Sequence, residues 1–131
     1  MRCANSLDVL YAKIEEWRTR PFAYGSVDCC QFPADVVLAL TGVDFREQFP
    51  TYATQEEAAA ILATHGGMVG LLTSVLGEPV HVSRAKRGGV IACDFGDGIA
   101  AGICLGVKCC APGARGLVER QTLDAVAAWS I

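Results

Sequence analysis

The stretch PFAYGSVDCCQFPADVVLAL, residues 21–40, decides how this chain is interpreted. It opens with turn-forming residues, and from Asp28 onward its apolar residues follow a helical period. Asp28 with Gln31 three positions later resembles a capping box, and Gly42 is placed to end the helix. Such a helix carries Cys29 in its first turn. That position suits a nucleophile, although a metal ligand, half of a disulfide and simple core packing are the alternatives.

A thiol in the first turn of a helix is close to N–H groups that lack intrahelical partners and to the positive end of the helix dipole. Both stabilise the thiolate and lower the pKa of the cysteine, which makes it nucleophilic. Strands later in the chain would then supply a histidine base, in the cysteine-then-histidine order of papain-like enzymes. We therefore take Cys29 as the candidate nucleophile.

Pro33 bears on where this helix begins. If Asp28 is the N-cap, the proline ring faces the carbonyl of Cys29 and a helical hydrogen bond is missing. Either the first turn is distorted, or the helix begins one or two residues later. A later start puts Cys30 at the cap and moves Cys29 into the preceding loop.

Length and composition describe one ordinary domain. The 131 residues are 52% hydrophobic and 19% charged, enough for a core and unlike a disordered chain. A net charge of −3 with scattered Lys and Arg argues against nucleic acid as a partner. Asp8, Glu15 and Glu16 interrupt the apolar pattern of the N-terminus, and no run of 18 apolar residues occurs. We expect a single domain over residues 1–131, with no signal peptide and no membrane-spanning segment.

Seven cysteines are many for this length, at positions 3, 29, 30, 93, 104, 109 and 110. Their odd number and the missing export signal argue against a disulfide framework. Their spacings are C-C, C-x10-C and C-x4-C-C, whereas zinc sites usually contain C-x2-C pairs. A thiol-rich metal or iron–sulfur module stays open as an alternative. The favoured expectation is no metal and no cofactor, with most thiols serving as small buried hydrophobes.

Helical patterns come first in the chain and strand patterns second. Helices are predicted over residues 6–18, 28–40, 54–66 and 68–77, and strands over 80–84, 89–95, 99–106, 107–111 and 116–120. This segregation predicts an α+β domain whose helices pack on one face of an antiparallel sheet. Alternation along a strand places Cys109 and Cys110 on opposite faces of that sheet, so only one of them faces the helix that carries Cys29.

Three motifs carry a resemblance to a known family. DCCQF (28–32) resembles the aspartate-cysteine signature of NlpC-type cysteine peptidases, the papain-like cell-wall hydrolases. KRGGVI (86–91) resembles their Gly-Asp-hydrophobic strand start, and AAGICLG (100–106) their His-x-Gly-Ile-x-x-Gly strand. Over nearly its full length the chain is similar to NlpC-like proteins of tailed phages and prophages.

This resemblance implies a papain-like NlpC-type fold and a place in the tail of a virion, after synthesis in the host cytoplasm. The implied partners are other tail-tip or baseplate proteins, and peptidoglycan. In such tails a wall-degrading activity would assist DNA delivery into the cell.

The motifs depart from the family at two positions. Matching AAGI to His-x-Gly-Ile puts Ala100 where the general base belongs, and Gly89 replaces the strand-start aspartate. His65 ends a predicted helix, where a histidine usually binds free carbonyls. His81 lies on the predicted strand 80–84 and is the candidate surrogate base.

Three functions follow. The first is a structural component of a tail tip or of tail assembly, with an NlpC-like fold whose catalysis is degraded. The second is an active cysteine hydrolase of peptidoglycan peptides. The third is the metal or iron–sulfur module.

Overall fold

The computed structural model describes residues 2–26, 28–96 and 98–131. Within these residues four α-helices precede five β-strands, which confirms the α+β class and the order of the elements. The helices are α1 Ser6–Trp17, α2 Gln31–Thr41, α3 Gln55–Thr64 and α4 Met68–Leu76. The strands are β1 Val90–Asp94, β2 Ile99–Cys104, β3 Lys108–Gly113, β4 Gly116–Gln121 and β5 Ala127–Trp129, and 3-10 helices cover Phe45–Gln48, Val82–Arg84 and Thr122–Asp124.

The five strands form one sheet in the order β4-β3-β2-β1-β5, with every neighbouring pair antiparallel. Four of the predicted strands are confirmed, and their hairpins connect them in chain order. The predicted turns FGDG (95–98) and AYGSV (23–27) include Asp97 and Val27, which lie outside the described residues.

One predicted strand, residues 80–84, is wrong. Val80 makes only an isolated bridge to Ala128, and Val82–Arg84 is a 3-10 helix. The reason is local, because the His81 side chain accepts a hydrogen bond from the Ser83 N–H and so caps this turn. The edge of the sheet is occupied instead by β5, a three-residue strand that the sequence pattern did not predict.

Helix α1 fixes α2 through its buried face. Leu10, Ile14 and Trp17 are buried, and the Trp17 Nε1–H donates to Asp35 Oδ2 at 2.8 Å. The Trp17 and Phe32 rings are 5.3 Å apart, so α2 is held against α1 along its first half. Leu7 and Tyr11, which share the helical spacing of these residues, are 48% and 41% exposed and lie outside the buried face.

Side chains from α1, α2 and α4 pack on one face of the sheet, and Cys110 joins this larger core. Cys109 points to the other face, as strand alternation predicts, where it packs with Cys93 and Cys104. This second face is covered by Val80, Val82, Ala85 and Ala125 from the segments around the 3-10 helices. Across this face, Arg120 Nη2 on β4 donates to the carbonyl of Phe95, which follows β1, at 3.1 Å.

Within the described ranges, no helix by itself has the length and apolar character needed to cross a membrane. Helices α3 and α4 taken together meet that test on length and composition, with a 68° bend at the break between them.

Candidate functional site

Asp28 organises the start of α2. Its side chain is 1% exposed and accepts four hydrogen bonds. Oδ1 accepts from the N–H groups of Cys30 and Gln31 at 2.8 and 2.9 Å and from the Tyr52 hydroxyl at 2.8 Å, and Oδ2 accepts from the Gly25 N–H at 2.7 Å. The carboxylate therefore joins three segments of chain, and these bonds occupy lone pairs that a general base would use.

Helix α2 begins at Gln31, with Cys30 at the N-cap position. This is the later of the two starts that Pro33 leaves possible, and it places Cys29 in the turn before the helix. The helical hydrogen bonding still extends back to Asp28, whose carbonyl accepts from the Phe32 N–H at 3.0 Å. The Asp28 carboxylate accepts from the N–H groups of Cys30 and Gln31, as the predicted cap requires, but the N-cap residue is Cys30 and the Gln31 Oε1 accepts from Arg46 Nη1 at 2.9 Å. The effect on the Cys29 thiol is also not the predicted one, because these N–H groups bind the carboxylate instead of the sulfur.

The pKa of Cys29 is nevertheless lowered. The largest cause is the Cys30 thiol, which acts as a hydrogen-bond donor to the Cys29 sulfur, and the backbone N–H of Ala101 acts in the same direction. Burial and the negative charge of Asp28 oppose this shift.

Two proton-bearing neighbours of Cys29 stay neutral. The Cys29 sulfur and burial raise the pKa of Cys30, so Cys30 remains a thiol. Burial also raises the pKa of Tyr52, and the negative charge of Asp28 raises it further. Cys29 is consequently the member of this group that ionises first.

A cleft of about 460 Å³ opens above Cys29. Its walls come from the loop before α2, from α3 and α4, and from the hairpin ends of the sheet. Ala100 lines the same cleft as Cys29, but it pairs with Cys93, so its side chain lies on the face of the sheet opposite α2. Its neighbour Ala101 pairs with Ala92 and faces the larger core on the α2 side. Most of the lining is apolar, and the aromatic and branched side chains are Phe22, Tyr24, Phe49, Tyr52, Ile61, Leu62, Leu71, Phe95, Ile99 and Val118.

Neither histidine lines this cleft. His65 is the C-cap residue of α3, and its Nδ1 is 2.9 Å from the Ile61 carbonyl oxygen, as expected for a histidine at a helix end. His81 is exposed and caps the 3-10 helix Val82–Arg84, whose first residue packs on the smaller core. The predicted place of His81 on a strand is therefore wrong, and His81 does not line the cleft that contains Cys29.

The second departure from the motif, Gly89, has a packing reason. A Cβ atom at this position would lie 2.9 Å from the Trp129 carbonyl oxygen and 3.0 Å from that of Lys86. The close approach of these two backbone segments leaves no room for an aspartate side chain.

The thiols on the second face of the sheet have a different character. Burial raises the pKa of Cys109 to about 12, and it also raises that of Cys93. Cys104 Sγ accepts from the Gly106 N–H at 3.4 Å. In the part of the chain that the structure describes, no three or more His, Cys, Asp or Glu side chains are grouped so that they could hold a metal ion.

Two residues of the site were missed by sequence reasoning. Tyr52 lies 24 residues after Asp28 in the sequence, and no local sequence pattern predicts the hydrogen bond between them. Gly25 carried a signal, since it stands in the loop before the cap, where a glycine is often required by the backbone. Here φ is +86°, and an added Cβ would meet the Tyr52 carbonyl.

A family model described as Domain of unknown function (DUF6950) matches residues 1–131. No curated protein matches the chain.

Proposed function

The chain belongs to the DUF6950 family, whose description assigns no activity, and from its site we propose a structural component of a phage tail tip or of tail assembly. In this proposal the domain has a papain-like NlpC-type fold that no longer hydrolyses peptides. One observation carries it: Cys29 and Ala100 line a common cleft to which neither histidine of the chain contributes.

The arrangement of elements supports the NlpC-type fold. Cys29 follows a buried aspartate at the start of a helix, and that helix packs on an antiparallel sheet. Ala100, the position that the resemblance gives to the catalytic histidine, lines the same cleft as Cys29. A family of cysteine peptidases would need this placement of helix and strand, although the placement by itself performs no chemistry.

The missing imidazole matters because peptide hydrolysis moves protons twice. A base takes the proton of the nucleophile, and an acid then protonates the leaving amine. Each of these proton transfers accelerates the reaction on the order of a hundred-fold or more. Asp28 is buried and accepts four hydrogen bonds, and Tyr52 keeps its proton because its pKa is raised. No side chain of the described cleft is placed to do both steps.

A role in tail architecture is compatible with this loss. The two cores and the Asp28 network depend on packing and hydrogen bonds, and none of these needs a catalytic group. The proposed partners are other tail-tip or baseplate proteins, and the proposed location is the tail of the virion. The full-length resemblance to NlpC-like phage proteins supports this role.

The second candidate is an active cysteine hydrolase of peptidoglycan peptides. The lowered pKa of Cys29 favours it, because a thiolate in a cleft is half of the required machinery. A partner protein would have to supply the base.

The experiment compares four purified forms on peptidoglycan: wild type, Cys29→Ser, Ala100→His and the double variant. We expect no peptide release by any of the four forms, because the side chain at position 100 lies on the Cys93 face of the sheet. Release by Ala100→His that disappears when Cys29 is also replaced would show that an imidazole there reaches the thiol. Robust turnover by the wild type would overturn the proposal. Mass spectrometry of purified virions, compared with particles lacking tails, tests the location.

A further inference from the structure

The proposed function leaves the nucleophile of the cleft unused. We propose that Cys29 is a covalent attachment point for a long-chain acyl group, delivered as an acyl thioester, with the chain lying in the apolar cleft. This inference rests on one part of the proposed function, the absence of a base from the cleft. It does not depend on a location in a phage tail.

The walls of the cleft select an uncharged, apolar ligand. No lysine, arginine or histidine is found among the described residues that line it. The carboxylate at its base, Asp28, is buried and has its hydrogen-bond partners within the protein. A volume of about 460 Å³ is in the range of pockets that hold small organic ligands. Among the described lining residues a charged ligand would lose its hydration without finding a cationic partner, whereas an alkyl chain would bury apolar surface.

Thioester exchange is the acyl transfer that this site is equipped for. The Cys29 thiolate attacks the carbonyl carbon of the acyl donor and forms a new carbon–sulfur bond. The tetrahedral intermediate then breaks the carbon–sulfur bond to the donor, which leaves as a thiolate and takes a proton from water. Nothing is oxidised or reduced. A thiolate leaves without prior protonation, unlike the amine of a peptide, so the step needs no histidine acid.

The absence of a base also keeps the acyl group attached to Cys29. Hydrolysis of the thioester requires a water molecule activated by a base, and the described cleft has none. An acyl group that reaches Cys29 therefore accumulates as a stable adduct instead of turning over.

The other thiols are poorer acceptors. Burial raises the pKa of Cys110 to about 12, and the Cys29 sulfur and burial raise that of Cys30. Cys104 and Cys109 are buried on the second face of the sheet. Cys3 is exposed and lies outside the cleft, so it reports non-selective acylation.

The test uses the reduced full-length chain with palmitoyl-CoA and, separately, acetyl-CoA, each below its micellar concentration. Intact mass should show one palmitoyl adduct that neutral hydroxylamine removes and that peptide mapping places on Cys29. Cys29→Ser should lose the adduct, and Cys3→Ser should keep it. Acetyl-CoA should react much more slowly. Equal labelling by both donors, or an adduct spread over several cysteines, would overturn the inference.

A pair of variants on α3 tests whether the chain occupies the cleft. Ala59 lines the cleft and Ala60 does not, and both are exposed, so Glu is compatible with folding at either position. Because an alkyl chain in the cleft would remove water from a carboxylate on its wall, Ala59→Glu should slow palmitoylation at least about tenfold. Ala60→Glu should leave it unchanged. Identical rates in the two variants would contradict the proposed binding mode.

The outcomes separate this inference from the proposed function. Absence of both an adduct and peptide release contradicts only the acyl site. Release of peptides from peptidoglycan contradicts the non-hydrolytic role, whatever happens with the acyl donor. A transient adduct with accumulation of free fatty acid would show that water is activated, and would overturn the claim that the group stays attached.

Discussion

Cys29 and Cys30 are neighbours in the chain but differ in their chemistry. Cys30 is buried in the larger core and acts as a hydrogen-bond donor, whereas Cys29 is half-buried and faces the cleft. The pKa of Cys29 is lowered and that of Cys30 is raised, each chiefly by the other sulfur. The pair is therefore one titrating unit that loses its first proton mainly from Cys29.

Replacing Cys30 with alanine removes the thiol donor, so the pKa of Cys29 should rise. The alkylation rate of Cys29 by iodoacetamide should then fall at neutral pH, and the midpoint of its pH profile should move upward. Peptide-resolved mass spectrometry measures both. Cys93→Ala, which removes a buried thiol on the other face of the sheet, is the matched control and should leave the profile in place. An unmoved profile in Cys30→Ala would show that the pair is not coupled.

At the level of elements, α2 is the helix on which the site depends. The sequence signal for its cap was sound, because Asp28 does accept from the N–H groups of Cys30 and Gln31. The same pattern could not show that the carboxylate also holds Gly25 and Tyr52. A cap predicted from two residues is in fact the junction between a loop, a helix and the segment that leads to α3.

Asp28→Ala should therefore cost more than an ordinary cap. It leaves donors in three segments without their acceptor, and we expect a loss of at least about 3 kcal/mol in the free energy of unfolding. Urea denaturation followed by circular dichroism measures it. Asp44→Ala, which removes the cap of the 3-10 helix Phe45–Gln48 at a half-exposed site, should cost about 1 kcal/mol. A loss at Asp28 no larger than that at Asp44 would contradict the role assigned to the network.

The apolar pattern of the sequence predicts four of the five strands and misses the fifth. Four of them carry apolar runs bounded by glycine, and the sequence predicted all four. The fifth, Ala127–Trp129, is three residues long and rich in alanine, so it has no strand signal and is held by pairing with β1. Residues 80–84 have that signal, but a side-chain cap turns them into a 3-10 helix. Pairing with β1 makes residues 127–129 a strand, and a local hydrogen bond makes residues 82–84 a 3-10 helix. Neither interaction changes the spacing of apolar residues in the sequence, so the sequence pattern does not predict it.

For the whole molecule, two buried tryptophans report on two different layers. Trp17 lies between α1 and α2, and Trp129 lies on β5, where its Nε1–H donates to the Gly77 carbonyl at 3.0 Å. The larger core includes both. Helical layer and sheet are thus connected through one set of contacts, which predicts a single cooperative unit.

Single-tryptophan variants test this unity. Trp17→Phe leaves Trp129 as the fluorescent probe, and Trp129→Phe leaves Trp17. Within each variant, the fluorescence transition in urea should coincide with the transition seen by far-UV circular dichroism. Separated midpoints within one variant would show that helices and sheet unfold independently.

The cleft is also a feature of the whole molecule, and the sequence predicted only part of its lining. Motif spacing paired Cys29 with Ala100, and the structure places both in one cleft. The contributions of α3, of Phe49 and of the β3–β4 hairpin depend on how distant segments pack, which no spacing in the sequence encodes. His81 was the candidate base because a strand was predicted over residues 80–84. Residues 82–84 form a 3-10 helix capped by His81 instead.

The distribution of the thiols also bears on how the protein survives unfolding. Cys3 is exposed, while the other six cysteines are buried or half-buried, and all seven are free. The folded state therefore shields its sulfur atoms from dissolved oxygen. Unfolding releases six more thiols at once, which can then pair at random and trap the chain. Reversibility should accordingly depend on reductant: heat should inactivate the protein permanently in air, while a reducing buffer allows it to refold.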